Sequence, residues 1–250
     1  MTQPILVTGG GRGLGAAIVR RLAQAGHAVT FTYRSAHAEA EALIAEIRAT
    51  QPQAQVTARA LDLADRPAVD AFADELEAGA TWYGFCHNAG ASYDTLAAMI
   101  DQDKAESVMQ VNHFAFVRLA RALVRPMTRA RAGRMVAIGS VAALQANPGN
   151  AAYAASKAAL LAHVRGLAVE TARRGVTVNY VAPGFIDTAM LEKYADYRAR
   201  LEAQIPAGRF ATPDDVAQVV AFLFSPGAGY ITGAVLPVDG GLSASLAAHR

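Results

Sequence analysis

Five glycines crowd into the seven residues Gly9-Gly10-Gly11-Arg12-Gly13-Leu14-Gly15, directly behind the short apolar run Pro4-Ile5-Leu6-Val7-Thr8. The run reads as a buried strand, and Ala16 to Ala25, with Ile18, Val19 and Leu22 on one face, reads as a helix. Strand, glycine turn and helix in that order turn a glycine pattern into a phosphate-site hypothesis. Glycine permits positive φ and close backbone approach, and the first helical turn offers free N–H groups to a pyrophosphate. The spacing Gly9-x-x-x-Gly13-x-Gly15 differs from the usual G-x-G-x-x-G fingerprint. An ordinary turn has little use for so many glycines at the mouth of a buried strand, so the phosphate loop is the favoured reading.

Strand-like and helix-like segments then alternate to the end of the chain. Ala28 to Tyr33 reads as a strand, Ala36 to Thr50 as a helix, Val56 to Leu61 as a strand and Arg66 to Ala78 as a helix. Trp82 to His87 reads as a strand, Gln102 to Arg131 mostly as one long helix, and Arg134 to Gly139 as a strand. Ala151 to Arg173 reads as a long helix and Val176 to Val181 as the sixth strand. Asp187 to Gln204 reads as a mobile helical segment, Asp214 to Phe224 as a helix and Ala234 to Val238 as the last strand. This alternation predicts an α/β fold: a single-domain, Rossmann-type doubly wound parallel sheet of about seven strands with helices on both faces. With 250 residues, 53% of them hydrophobic, and no linker or repeat, one domain over 1–250 is expected. Its cofactor half would span about 1–145 and its catalytic and substrate half about 146–250.

A chemical constellation follows the fifth strand. Ser140 ends the run Met135-Val136-Ala137-Ile138-Gly139, and thirteen residues later comes Tyr153-Ala154-Ala155-Ser156-Lys157. On a helix Tyr153 and Lys157 share one face. An ammonium beside a phenol favours the phenolate, which would bring a group with an ordinary pKa of about 10 nearer neutrality. Ser140 at a strand mouth could hold the oxygen that receives the proton, an arrangement suited to proton delivery at a carbonyl or alcohol.

Other classes are disfavoured. A net charge of +2, with arginines scattered among acids, does not call for nucleic acid. The only local basic excess runs from Arg118 to Arg134. The single cysteine, Cys86, lies in an apolar run and reads as a buried structural thiol; the six histidines show no ligand spacing, so no metal site is expected. No signal-peptide pattern and no apolar run of membrane length is present, so a soluble cytoplasmic protein is expected.

Thr8-Gly9-x-x-x-Gly13-x-Gly15, His87-Asn88-Ala89-Gly90, Asn112, Ser140, Tyr153-x-x-x-Lys157, Pro183-Gly184 and Val238-Asp239-Gly240-Gly241 together resemble the short-chain dehydrogenase/reductase family, in its order and over nearly the whole chain. The resemblance implies catalytic roles for four residues. Tyr153 would be the general acid, with Lys157 lowering its pKa and bonding the nicotinamide ribose. Ser140 would bind the substrate oxygen, and Asn112 would bend a long helix and hold a relay water. It implies a nicotinamide dinucleotide held by Thr8, Gly9, Gly11, Arg12, Gly13, Leu14 and Gly15. Asn88, Ala89 and Gly90 would lie by the adenosine ribose, Asp62 and Leu63 by the adenine, and Pro183, Gly184, Ile186 and Thr188 by the nicotinamide, with Tyr153 and Lys157 shared. Asp62 could instead N-cap the helix after Asp65, and Asp187 could cap the segment behind it.

NAD-binding relatives usually carry an acid at the end of the second strand. Here Tyr33, Arg34 and Ser35 stand there, with Arg12 in the glycine loop, and two guanidiniums could clamp a 2′-phosphate, so NADP(H) is expected. Asn147-Pro148-Gly149 and Pro183-Gly184-Phe185-Ile186-Asp187-Thr188 look most like the β-ketoacyl-[acyl carrier protein] reductases. In that subgroup two arginines near the site entrance grip the acidic acyl carrier protein, and Arg131 and Arg174 align with them. Helix-end cations complementing the dipole account for Arg173 and Arg174 almost as well. Rival readings are a reductase of a free small ketone or alcohol and a catalytically silent dinucleotide sensor. The intact Ser140, Tyr153 and Lys157 argue against the second. The resemblance implies a homotetramer, and the long segment between Phe185 and Ala211 reads as a lid that shapes the pocket.

Overall fold

The computed structural model describes residues 3–145, 147–188 and 197–245. Seven parallel strands form one sheet in the order β3-β2-β1-β4-β5-β6-β7. They are β1 (Pro4–Thr8), β2 (Ala28–Tyr33), β3 (Val56–Ala60), β4 (Gly84–His87), β5 (Gly133–Ile138), β6 (Val176–Pro183) and β7 (Val235–Val238). Strand order reverses between β1 and β4, whose paired ends Thr8 and His87 open the crevice where such sheets take ligands.

Near-continuous apolar strands such as Ile5-Leu6-Val7 and Met135-Val136-Ala137 demand cover on both faces. On one face lie α3 (Arg66–Ala78), α4 (Gln102–Met109), α5 (Ala115–Ala130) and α6 (Ala151–Thr171), packed around Phe85, Phe116, Leu119, Leu123 and Tyr180. On the other lie α1 (Gly13–Gln24), α2 (His37–Thr50) and α8 (Pro213–Phe224), around Ile18, Leu22, Phe31 and Phe224. A short α7 spans Arg198–Glu202. It lies within the segment expected to be helical from Asp187 to Gln204, whose residues 189–196 fall outside those described.

The expected helix from Gln102 to Arg131 is broken into α4, a π-helical turn at Gln110–Phe114, and α5. The cause is local. Asn112 is fully buried, and its amide is drawn inward to bond Ala91 and Ser156, so the coil widens to take one extra residue. Position along a 3.6-residue repeat does not reveal that polar anchor.

At the far end of the chain, Ile186 and Ala211 form an isolated bridge, and Thr212 follows as the N-cap of α8 in a capping box with Asp215. The cap therefore fixes both the helix and the strand-like segment beside the sheet mouth. Thr212→Ala should lower unfolding free energy by about 1 kcal/mol. Urea denaturation with an unchanged m-value measures this, and an unmoved midpoint would show the cap to be dispensable.

Candidate active site

The glycine loop has the shape of a phosphate cradle. Gly9 and Gly13 adopt left-handed φ of 67° and 54°. A Cβ on Gly9 would press on Ala89 at 2.9 Å, and one on Gly15 would overlap the Gly9 carbonyl. Arg12 precedes α1 in extended conformation and its side chain caps nothing, which leaves the helix N-terminus open to an anion.

Thr8 locks this loop to β4. Its hydroxyl accepts the amides of Asn88 (3.1 Å) and Ala89 (3.2 Å), so its own proton points to Nδ1 of His87 at 3.1 Å. His87 is fully buried, and burial pushes its pKa down to about 3, so the ring is neutral. The Asn88 amide donates to the Thr8 and Gly9 carbonyls. Asn88 and Ala89 thus lie against the loop as the sequence predicts, and Gly90 faces the other half: a Cβ there would meet Asn112 Oδ1 at 3.3 Å and Lys157 Nζ at 3.4 Å.

The end of β2 carries no carboxylate. Arg34 and Ser35 are exposed, and Tyr33 and Ala36 abut Gly11, which brings Arg12 and Arg34 to the same rim. Tyr33 is committed to His37 through a 2.8 Å hydrogen bond between its hydroxyl and Nδ1. Asp62 is exposed, and one of its oxygens accepts from the Ala64 amide at 2.9 Å in a local turn. The cap of α3 is Asp65, so the alternative capping role for Asp62 does not hold. Leu63 is buried beside it, its carbonyl taken by Gln110.

Ser140, Tyr153 and Lys157 meet at the mouth of β5. Ser140 Oγ accepts the Ala142 amide at 3.1 Å, and the Ser140 side chain faces that of Tyr153. Lys157 is buried and donates to the Ile138 carbonyl at 2.8 Å; its Nζ lies 5.8 Å from the Tyr153 ring centroid. Burial pushes Lys157 down to about 8. Burial likewise raises Tyr153 above the ordinary phenol value, with Ser140 pulling it back and Asp94 adding to the rise. The expectation of a Tyr153 pKa lowered by Lys157 is therefore corrected for the chain alone: desolvation is the dominant influence and moves it upward. Asn112 spends both amide protons structurally, donating to Ala91 O (2.9 Å) and Ser156 Oγ (2.8 Å), while Oδ1 accepts from Ala91 N (2.8 Å). A water here would donate to its main-chain carbonyl or to the second lone pair of Oδ1.

Pro183 ends β6, and a Cβ on Gly184 would press on Asp239 at 2.9 Å. Thr188 reaches across to Gly13: a Cβ there would sit 3.6 Å from Thr188 Cγ2, so the segment after β6 closes over the glycine loop. Ile186 is held by its bridge to Ala211. Asp187 forms a two-bond ion pair with Arg198, at 2.8 and 2.9 Å, and Arg198 also lies over the Phe210 ring; the segment that Asp187 is expected to cap lies outside the described residues. Arg198 had no sequence signal, because its partner lies eleven residues away across an irregular segment.

Arg131 and Arg174 do not rim this site within one chain. Arg131 caps the C-terminus of α5, immediately before β5, and Arg174 ends the turn before β6, so both stand at the opposite end of the sheet from Ser140. The 21 residues of α6 put about 30 Å between that end and the turn bearing Tyr153. There Arg131 is adjacent to Arg173, whose carbonyl it bonds at 3.2 Å.

Among the described residues no group of three or more His, Cys, Asp or Glu side chains could hold a metal, and no helix is long and apolar enough to cross a membrane. Cys86 is buried, and burial pushes its thiol pKa up.

The chain matches, over residues 9–243, the family described as enoyl-(acyl carrier protein) reductase. It is 39% identical over 244 residues to the 3-oxoacyl-[acyl-carrier-protein] reductase FabG of Aggregatibacter actinomycetemcomitans, covering 97% of this chain and 100% of that one. It is 40% identical to the 3-oxoacyl-[acyl-carrier-protein] reductase MabA of Mycobacterium bovis, covering 97% and 93%. Among solved structures, a candidate NAD(P)-dependent gluconate 5-dehydrogenase from Beutenbergia cavernae, with NADP bound, superposes with a TM-score of 0.91 at 36% identity, covering 97% of each chain.

The burial of Lys157 has a stability signature. Its pKa falls from an ordinary 10.5 to about 8 on folding, so between those values the unfolded chain binds more protons and stability rises with pH. Relative to Lys157→Met, the cofactor-free protein should gain roughly 1 kcal/mol between pH 8 and 9. Parallel denaturation curves of the two proteins test this, and a constant difference would place the ammonium in water.

Proposed function

This chain belongs to the short-chain dehydrogenase/reductase family, and from that premise we propose that it reduces a β-ketoacyl thioester borne on acyl carrier protein to the β-hydroxyacyl form with NADPH. The observation that carries the chemistry is the convergence of Ser140, Tyr153 and Lys157 at the mouth of β5, with Lys157 Nζ 5.8 Å from the Tyr153 ring centroid and Ser140 close enough to lower the Tyr153 pKa. The substrate class rests on the near-full-length likeness to reductases of that name.

The cradle fits a dinucleotide: open helix N-terminus, left-handed Gly9 and Gly13, and close-packed Gly15. Thr8, Gly9, Gly11, Arg12, Gly13, Leu14 and Gly15 would hold the pyrophosphate region. Asp62 and Leu63 would lie by the adenine, Asn88, Ala89 and Gly90 by its ribose, and Pro183, Gly184, Ile186 and Thr188 by the nicotinamide. When bound, the cofactor supplies the hydride. Arg12, Arg34 and Ser35 favour the 2′-phosphate of NADPH, because no acid stands at Tyr33 to repel it.

Ser140 donates its hydroxyl proton to the substrate carbonyl oxygen and stabilises the charge that gathers there. Tyr153 gives the proton that completes the alcohol. A raised Tyr153 pKa keeps the phenol protonated at neutral pH, the form that reduction consumes. Lys157 would hold the nicotinamide ribose and place a positive charge beside the reacting groups. Asn112, through its main-chain carbonyl, holds the water that returns a proton to Tyr153.

An acidic carrier protein would be steered by basic residues. Arg131 and Arg174, at the far end of α5 and α6 from this chain's own Tyr153, would in that role serve the site of a neighbouring copy in a homotetramer. The setting would be the cytoplasm. A second reading, reduction of a free small ketone or oxidation of the corresponding alcohol, is favoured by the likeness to the gluconate dehydrogenase structure. Turnover of acetoacetyl thioesters on carrier protein and on a pantetheine mimic, beside a free keto acid, separates the two. Good turnover of the free ketone alone would select the second.

Two variants test the assignments. Tyr153→Phe should lower kcat by roughly 10²-fold with little change in cofactor affinity; near-normal turnover in the folded protein would remove Tyr153 from its role. Paired kcat/KM measurements should favour NADPH over NADH, and Arg34→Ala should erode the preference. Equal use of both cofactors by the unaltered chain would defeat the phosphate clamp.

A further inference from the structure

Behind the catalytic residues lies a second phenol. Tyr180, in the middle of β6, is fully buried. Its hydroxyl accepts the Ser140 backbone amide at 3.1 Å and donates to the Lys157 carbonyl at 3.2 Å. The last sheet rung before Ser140 is Gly139 N to Val181 O at 2.7 Å; past it the chain leaves the sheet, and no strand carbonyl remains opposite the Ser140 amide. The phenol takes that place. Gly139 is what admits it, since a Cβ there would overlap the Tyr180 ring near its hydroxyl.

We infer that Tyr180 is a positioning residue for the reduction: its hydroxyl pins the strand end bearing Ser140 to the turn of α6 bearing Lys157, and so sets the separation of the Ser140 and Tyr153 hydroxyls. The inference rests on the roles proposed above for Ser140 and Tyr153. The Ser140 side chain faces Tyr153, the Ser140 amide donates to Tyr180, and Tyr180 donates to the carbonyl of Lys157, one turn along α6 from Tyr153. A buried N–H left without an acceptor is costly, so without the hydroxyl the Ser140 backbone would shift to find another partner. Small displacements of a proton-handling group reduce turnover steeply.

A double-mutant cycle tests this. Tyr180→Phe keeps the ring and removes the two bonds; kcat with an acetoacetyl pantetheine thioester should fall roughly 5- to 50-fold. The dissociation constant for NADPH, read by fluorescence, should stay within about twofold, because the loop that would hold the nucleotide is tied through Thr8 and not through Tyr180. In a Ser140→Ala background the same change should cost less than about twofold, since its effect passes through Ser140. A general packing defect would instead lower kcat equally in both backgrounds and overturn the proposal, as would full kcat in folded Tyr180→Phe. Should Tyr180→Phe fail to unfold cooperatively, Tyr180→Val, which also lacks the hydroxyl, is held to the same two comparisons. Full turnover by Ser140→Ala would refute the Ser140 assignment itself, and with it this role. A loss in Ser140→Ala without one in Tyr180→Phe refutes the positioning role alone.

Discussion

The hydroxyl of Thr8 is the tie on which the site depends. One oxygen accepts two backbone amides from the loop after β4 and donates a hydrogen bond to a neutral histidine, so the ends of β1 and β4 are fixed at the point where strand order reverses. Everything above that crevice inherits its register. Gly9 can touch Ala89 only because the two loops are held at this distance, and Gly90 then reaches the catalytic half beside Asn112 and Lys157. A serine-sized group could make the same bonds, but the bond to His87 also requires a dry interior that keeps the imidazole uncharged.

The catalytic half follows a different logic. Its polar groups are buried and are paired almost one by one: Asn112 with Ala91 and Ser156, Lys157 with Ile138, and Tyr180 with Ser140 and Lys157. Burial decides the protonation states here more than neighbouring charge does, lowering the lysine and raising both phenols. Such a network is rigid when complete and costly when any member is missing.

Much of this was legible in the sequence because it is local or periodic. Apolar runs behind glycine marked β1, spacing on a helix put Tyr153 and Lys157 on one face, and the lack of an acid after β2 left the rim basic. What escaped is held by contacts between distant segments. Arg198 pairs with Asp187 across an irregular stretch, and Tyr180 meets Ser140 forty positions earlier. The misplacement of Arg131 and Arg174 has a topological reason: residues that end helices in a βαβ fold enter the next strand at its beginning, one sheet length away from the site. The Tyr153 pKa went the other way because sequence shows a lysine nearby but not how little water surrounds either group.

The interlock of Gly139 and Tyr180 also bears on how such a sequence can change over generations. With Tyr180 in place, any side chain at 139 collides with its ring, so position 139 is closed to substitution. Once position 180 is small the collision vanishes, but the Ser140 amide then has to be satisfied by another route. The order of events is thereby constrained: a descendant must first shrink residue 180 and compensate the amide before residue 139 can vary, which makes the effect of one substitution depend on the history of the other.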